Sequence, residues 1–271
     1  MTSHDELLAV ACAAVDVARD IFLSRSPTRL TAKGARDMAS DVDYAIEREL
    51  TVMLRRRTPD IGFLGEEDGR SGPSGELIWT LDPIDGTVNF VHGSPLCGIS
   101  LALLRDGTPI VGVVDLPKLG LRYTAASGLG AYRDGRRLAA SGVSRLSEAV
   151  VAIGDYAVGK GAERKNDVRL AVTRRLAARA QRVRMHGSAA IDLVWLAEGR
   201  VDAVVMMANQ PWDTAAGVVI AREAGAVVVD SDGSDHDSTS CATIGGDAAL
   251  VPSLLAIVSG SVAEADRRVP V

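Results

Sequence analysis

Hydrophobic positions along the chain fall into two textures. Residues 6–23 carry Leu7, Leu8, Val10, Ala11, Ala14, Val15, Ala18, Ile21 and Phe22, a stripe of helical period that stops before Pro27. A second helix is expected from Ser40, with Val42, Ile46, Leu50, Met53 and Leu54 facing inward, ending at Pro59. Its last turn, Arg55-Arg56-Arg57, places cations where a helix C-terminus favours them. The pattern then shortens. Residues 61–64 and 77–81 read as buried strands, and 99–104 with 110–115 as a hairpin turning at Asp106-Gly107. Residues 122–125 and 130–133, followed by Asp134-Gly135, extend an antiparallel meander.

The small, polar segment 138–148 marks the expected boundary between an N-terminal α+β lobe over 1–140 and a C-terminal α/β lobe over 141–271. In the second lobe 149–153, 183–185, 201–207, 227–229 and 242–244 read as strands. Helices are expected over 164–180, from Ser188 as cap through Glu198, over 212–224 and over 247–259, with 231–240 a polar loop. No internal repeat is visible. Strands first, then strands alternating with helices, predicts a layered arrangement.

Composition narrows the class without changing this picture. The 271 residues are 47% hydrophobic and 24% charged, an ordinary globular balance. No apolar run approaches the roughly 18–20 residues that span a bilayer. Asp5, Glu6, Asp16, Arg19 and Asp20 interrupt the apolar stretch that a signal peptide needs. A formal charge of −5 argues against a nucleic-acid or membrane partner. Cys12, Cys97 and Cys241 are too scattered for a disulfide framework or a zinc site, so a reduced cytoplasmic setting is expected, with Cys97 and Cys241 in the core.

Chemistry concentrates in Leu81-Asp-Pro-Ile-Asp-Gly-Thr-Val-Asn-Phe90. Asp82 and Asp85 stand at the end of an apolar strand, with Pro83 and Gly86 breaking its regularity, so both carboxylates and the Ile84 carbonyl can face one space. Gly86 permits close backbone approach, and Thr87 opens a short helix whose free N–H groups suit a phosphate. Carboxylates beside an anion cradle require cations between them, and oxygen ligands without His or Cys select Mg2+ before Zn2+. Glu66, in Gly65-Glu66-Glu67-Asp68, follows another short strand, and Asp213 sits in the first turn of a helix. Singly, such acids are ordinary caps and turn residues. Together, in this order, they describe a metal site.

With these blocks the chain closely resembles the inositol monophosphatase family, within the wider superfamily of Mg2+-dependent, lithium-sensitive sugar and nucleotide phosphatases. The resemblance rests on Gly65-Glu66-Glu67, on Asp82-Pro83-Ile84-Asp85-Gly86-Thr87 and on Trp212-Asp213-Thr214-Ala215-Ala216-Gly217. Asp43 and Glu47 keep the family's Asp-x-x-x-Glu spacing, and Arg184-Met-His-Gly-Ser-Ala189 looks like its substrate-side segment. The fold implied is the α+β, layered α-β-α-β-α sandwich of the inositol monophosphatase and fructose-1,6-bisphosphatase type, in a homodimer.

The same resemblance implies the roles. Glu66, Asp82 and the Ile84 carbonyl would hold one Mg2+, Asp82, Asp85 and Asp213 a second, and Glu66 with water a third. Four carboxylates and a phosphate dianion carry six negative charges, so two Mg2+ leave two uncompensated and three leave none. The reaction implied is hydrolysis of a phosphate monoester by in-line attack of a metal-activated water. Thr87 and Asp43 would orient or deprotonate that water, the N–H groups of Gly86 and Thr87 would hold phosphate oxygens, and Glu66 would take part in catalysis. Gly187, Ser188, Ala189, Asp213 and Arg184 would contact the substrate. Lys33, on a flexible stretch over 31–37, matches a mobile-loop lysine.

The substrate implied is a small phosphorylated polyol or amino alcohol, inositol 1-phosphate first. Met206 stands where inositol-specific members carry a glutamate, with Asn209 or Gln210 as substitute partners for hydroxyls. Histidinol phosphate, fructose 1,6-bisphosphate and nucleoside 3′,5′-bisphosphates are the alternatives, and a non-catalytic metal-binding regulator is a different class altogether. The cations Arg164, Lys165, Arg169, Arg174, Arg175 and Arg179 read as a solvated helix face, and His186 and His92 as structural residues.

Overall fold

In the computed structural model the described residues are 3–34, 37–208 and 210–267. Helix α1 (His4–Ser24) is capped by Ser3, whose hydroxyl accepts from the Glu6 N–H while the Glu6 carboxylate accepts from the Ser3 N–H. Strands β1 (Leu30–Gly34) and β2 (Asp37–Ser40) form a two-stranded hairpin where a flexible stretch was expected. Every residue of β1 is exposed, so no hydrophobic alternation announces it. Helix α2 (Asp41–Arg57) follows, capped by Ser40.

An eight-stranded sheet then forms from β3 (Gly62–Gly65), β4 (Gly69–Ser71), β5 (Leu77–Asp85), β6 (Gly98–Arg105), β7 (Thr108–Leu116), β8 (Leu121–Ala126), β9 (Gly130–Arg133) and β10 (Arg136–Arg137). Its order is β10-β9-β8-β7-β6-β5-β3-β4, antiparallel except for the parallel pair β3–β5. The short helix α3 (Thr87–Val91) leaves the end of β5.

The second half supplies β11 (Val150–Ile153), α4 (Ala162–Ala177), β12 (Arg182–Arg184), α5 (Ala189–Glu198), β13 (Ala203–Met207), α6 (Pro211–Glu223), β14 (Val227–Val229), β15 (Ala242–Gly246) and α7 (Val251–Asp266). Its five strands run in the order β12-β11-β13-β15-β14. The last helix starts later and ends later than 247–259. Asp247 accepts the Ala249 N–H ahead of it, and Glu264 near its end binds Arg174 and Arg175 of α4.

Strand alternation shows how the layers stack. On β7, Val111 and Val113 pack with α1 and α2, while Val114 and Leu116 pack with α5 and α6. On β13, Val204 and Met206 face α5 and α6, while Ala203 and Val205 face α4 and α7. Both sheets are covered on both faces, which is why their strands read as unbroken apolar runs. The result is α1/α2, large sheet, α5/α6, small sheet, α4/α7: the expected α-β-α-β-α sandwich. Its central core takes residues from both sides of position 140, from Ala102 to Val228.

Among the described residues no helix is long and apolar enough to cross a membrane. Cys97 is buried as expected, but Cys241 is exposed. It lies just before β15, where its N–H is held by Asp230 at 2.8 Å and its side chain is left outside.

Candidate active site

The parallel pairing of β3 with β5 brings two strand ends side by side, with Gly65 opposite Leu81. Glu66 follows directly, its N–H on the Leu81 carbonyl at 3.2 Å. Asp82 and Asp85 are three residues apart, and in a regular strand they would point to opposite faces. Against β6, however, Asp82 pairs with Ser100 and Asp85 with Gly98. One extra residue on β5 makes a bulge, where Pro83 needs no ladder partner, and both carboxylates turn into one cleft.

Each acid is held separately. The Ile84 N–H donates to Asp82 Oδ1 at 3.0 Å. Asp85 lies across the N-terminus of α5. Its Oδ2 accepts the Ala190 N–H at 2.7 Å and the Ser188 hydroxyl, and its Oδ1 accepts the Ala189 N–H at 3.3 Å. Asp213 opens α6 and accepts the Gln210 N–H at 2.9 Å. That helix is seated by small residues. A Cβ on Gly112 of β7 would fall 2.6 Å from the Ala216 carbonyl, and one on Gly217 would fall 2.5 Å from Leu193 Cβ. Ser100 also ties the helix to the sheet through the Trp212 carbonyl, at 3.1 Å.

The Glu66 turn rests on a residue whose role the sequence did not disclose. Glu47 of α2 is buried, and its two oxygens accept the N–H groups of Glu67 at 2.9 Å and Asp68 at 2.7 Å. A Cβ on Gly65 would lie 2.1 Å from Glu47 Oε1, so only glycine fits. Lys33 reaches in from β1, its Nζ 2.5 Å from Glu66 Oε1 and 3.0 Å from Glu67 Oε1. Burial opposes the charge on Lys33, yet the two carboxylates overcome it and raise its pKa.

Gly86 has φ 85°, and a Cβ there would meet the carbonyls of Gly187 and Leu96, each at 3.0 Å. Asn89 closes this contact from α3. Its Nδ2 donates to the carbonyls of Leu96 at 2.7 Å and His186 at 2.8 Å, joining the turn after β5 to the segment before α5. The Thr87 hydroxyl donates to the Ile84 carbonyl at 3.1 Å. Asp43 is fully buried behind it, with Oδ2 on the Ser40 N–H and hydroxyl at 2.9 and 2.5 Å. Its Oδ1 is buried with no hydrogen-bond partner. The expected Thr87–Asp43 pair is thus not bonded to itself: each side chain is anchored elsewhere.

These parts enclose a cleft of about 340 Å³. Glu66, Asp82, Asp85, Gly86, Thr87, Ser188 and Asp213 line its inner half. Residues 154–158 with Arg169, Asp192 and 206–208 line the outer half. Arg184 is a correction. It is exposed, donates to the Val183 carbonyl at 3.0 Å, and takes no part in the lining, because β12 is the edge strand of the small sheet. Lys33 touches the cleft only through Glu66. Arg169 departs from the solvated face predicted for its helix, and lines the cleft with Nη1 on the Asp155 carbonyl at 2.8 Å. Asp155 and Asp192 carried no motif and went unread. His186 binds Asp192 at 2.6 Å and stacks edge-on against Trp195, and exposed His92 caps α3 at the Val88 carbonyl; both are structural contacts. Asn209 lies outside the described residues.

The electrostatics are those of carboxylates crowded without enough compensation. Burial, then the charges of Glu66, Asp85 and Asp213, drive the Asp82 carboxyl well above its usual range. Burial pushes Asp85 up to about 8 despite the Ser188 and Ala190 bonds. Burial also raises Asp43, and raises Asp192 to about 6 against the pull of His186. Among the described residues no three acidic, His or Cys side chains converge closely enough to grip an ion as they stand. Lys33 holds Glu66, and the start of α5 holds Asp85. The donor set itself, four carboxylates and the nearby Ile84 carbonyl without sulfur or imidazole, fits a hard divalent cation.

Comparison with known proteins identifies the family. The inositol monophosphatase family model matches residues 3–263. The chain is 36% identical over 260 residues to the probable inositol 1-monophosphatase ImpA of Mycobacterium tuberculosis, covering 95% of both. It is 36% identical over 209 residues to the fructose-1,6-bisphosphatase/inositol-1-monophosphatase of Thermotoga maritima, covering 76% of this chain and 77% of that one. The solved inositol monophosphatase of Anabaena superposes with a TM-score of 0.85 at 30% identity, covering 96% of this chain and 97% of that one. The bulged strand end, the glycine-seated helix and the acids they gather therefore sit in a member of the inositol monophosphatase family, a phosphoric monoester hydrolase.

Proposed function

We propose that the chain is a Mg2+-dependent phosphomonoesterase acting on inositol 1-phosphate. The observation that carries this reading is the convergence of Glu66, Asp82, Asp85 and Asp213 on one cleft beside the Gly86–Thr87 turn. The names of its relatives support the substrate. Glu66, Asp82 and the Ile84 carbonyl would hold one ion, Asp82, Asp85 and Asp213 a second, and Glu66 would help to hold a third. Mg2+, when bound, lowers the pKa of water and offsets the charge of the phosphoryl group.

The chain's own residues do the rest. The N–H groups of Gly86 and Thr87 hold phosphate oxygens. The Thr87 hydroxyl orients the attacking water, and the unpartnered Asp43 Oδ1 is the carboxylate oxygen that takes up its proton. Ser188 and Ala190 fix Asp85 so that its position survives substrate exchange. Gly187, Ser188 and Ala189 border the leaving group. A cytoplasmic homodimer that is sensitive to lithium belongs to the same reading.

The test is phosphate release by the purified protein in Mg2+ and in EDTA. It is run on inositol 1-phosphate, histidinol phosphate, fructose 1,6-bisphosphate and a nucleoside 3′,5′-bisphosphate. Inositol 1-phosphate is expected to turn over fastest, with EDTA abolishing activity. Another winner replaces the substrate. Silence on all four, with Mg2+ still bound, favours the regulator.

A further inference from the structure

The inner half of the cleft deals with phosphate and cations, so whatever enters the outer half is the leaving group. Four polar side chains line that end among the described residues, and three of them are committed. Asp192 is 1% exposed and binds His186. The Tyr156 hydroxyl lies 3.1 Å from Thr173 Oγ1. Arg169 gives Nη1 to the Asp155 carbonyl and Nη2 to the Met207 carbonyl, which ties together the neighbouring ends of β11 and β13. The fourth is Asp155. It is exposed, and its carboxylate takes no hydrogen bond from the described residues. Its Oδ2 lies 3.7 Å from where a Cβ on Gly187 would stand, so it leans over the segment bordering the leaving group. The adjoining end of β13, Met206 and Met207, offers only thioethers and methylenes.

Resting on the phosphomonoesterase reading, we propose that Asp155 is the specificity-determining residue of this cleft. Its carboxylate accepts hydrogen bonds from hydroxyl donors on the leaving group, and its charge turns away leaving groups bearing a second phosphate. Arg169 would attract such a phosphate if left alone, but Asp155 compensates its charge from the same wall. The substrate class is accordingly a monophosphate ester of a neutral, hydroxyl-bearing alcohol.

The test is steady-state kinetics in Mg2+ of the wild type, Asp155→Asn and Asp155→Glu, on inositol 1-phosphate and fructose 1,6-bisphosphate. A hydrogen bond to a charged acceptor is worth enough that KM for inositol 1-phosphate should rise about tenfold in Asp155→Asn. The loss should fall on KM rather than on kcat. In the same variant kcat/KM for the bisphosphate should rise several-fold, because Arg169 is uncovered, whereas Asp155→Glu should still discriminate against it. Inhibition by inorganic phosphate reports whether the inner half is intact in each variant. An unchanged KM with an unchanged preference between the two substrates overturns the proposal. If the wild type releases no phosphate from inositol 1-phosphate, the substrate reading falls. The bisphosphate arm then decides on Asp155: a rise in Asp155→Asn supports the assignment and no rise overturns it.

Discussion

At the scale of single residues, Asp82 carries the largest burden, being buried and surrounded by three other carboxylates that oppose its charge. Asp82→Asn should reduce Mg2+-dependent phosphate release by at least about a hundredfold, the scale on which lost transition-state electrostatics are felt. The same change replaces a carboxyl whose charged form the fold opposes with a neutral amide of similar shape. In EDTA the variant should therefore melt no lower than the wild type, a result thermal unfolding can check. Near-normal turnover would remove Asp82 from the ligand set. Gly65→Ala tests the support behind Glu66. Its Cβ must displace the Glu47 carboxylate, which cannot move without releasing two amides. Activity should fall about tenfold or more, with weaker Mg2+ binding by calorimetry. Glu66, Asp82, Asp85 and Asp213 were legible because each ends a strand or starts a helix beside a glycine or proline. Asp155 and the orphan oxygen of Asp43 were not, since nothing local to either residue distinguishes a cleft carboxylate from a surface or capping one.

At the scale of elements, α6 shows how strongly packing decides the site. It touches the large sheet at Gly112 and α5 at Gly217, with no room for a methyl group at either. Gly112→Ala meets backbone rather than a movable side chain, and overpacking of this kind costs about 1–3 kcal/mol. The expected result is a melting temperature several degrees lower by calorimetry. KM should rise as well, since Asp213 rides on the displaced helix. The long helices and the β6–β7 hairpin followed from periodicity and turn residues. The β1–β2 hairpin did not, because β1 is exposed throughout and β2 is only four residues long, too little for an alternation to show. The reach of Arg169 was hidden for another reason: helical periodicity tells which face is polar, not which polar residue finds a cleft above it.

For the whole molecule, the five layers place the cleft where the sheets meet the start of α5 and of α6, so proton and cation binding bear on global stability. Asp85, raised to about 8, Glu67, raised to about 7, and Asp192, raised to about 6, bind protons more tightly in the fold than in the unfolded chain, chiefly through burial. Groups raised in this way contribute stability that is complete below their unfolded pKa and is lost as pH rises through the folded value. His236 works in the opposite sense. Burial pushes it down to about 4, so its contribution fades as pH falls from 6.5 toward that value. In EDTA the melting temperature should therefore fall as pH rises from about 6 to about 9. Mg2+ should restore most at the alkaline end, where protons no longer neutralise the cluster. A flat profile in EDTA across that range would count against the burial of these acids. Layer order was within reach of the sequence once the two textures were seen. Strand neighbours were legible along the β6–β9 meander, where turn residues join successive strands, but not for the parallel pair β3 and β5, whose connection carries no periodic signal.

The bulge in β5 also sets what variation the chain can tolerate. Length there acts as a phase. One residue inserted between Pro83 and Ile84 would rotate a carboxylate out of the cleft and should silence phosphate release, whatever residue is inserted. Ile84 contributes to the proposed ligand set through its carbonyl, so Ile84→Val should cost only about 0.5–1.5 kcal/mol of stability and keep turnover. A library over this segment should thus accept changes of spelling and reject changes of metre.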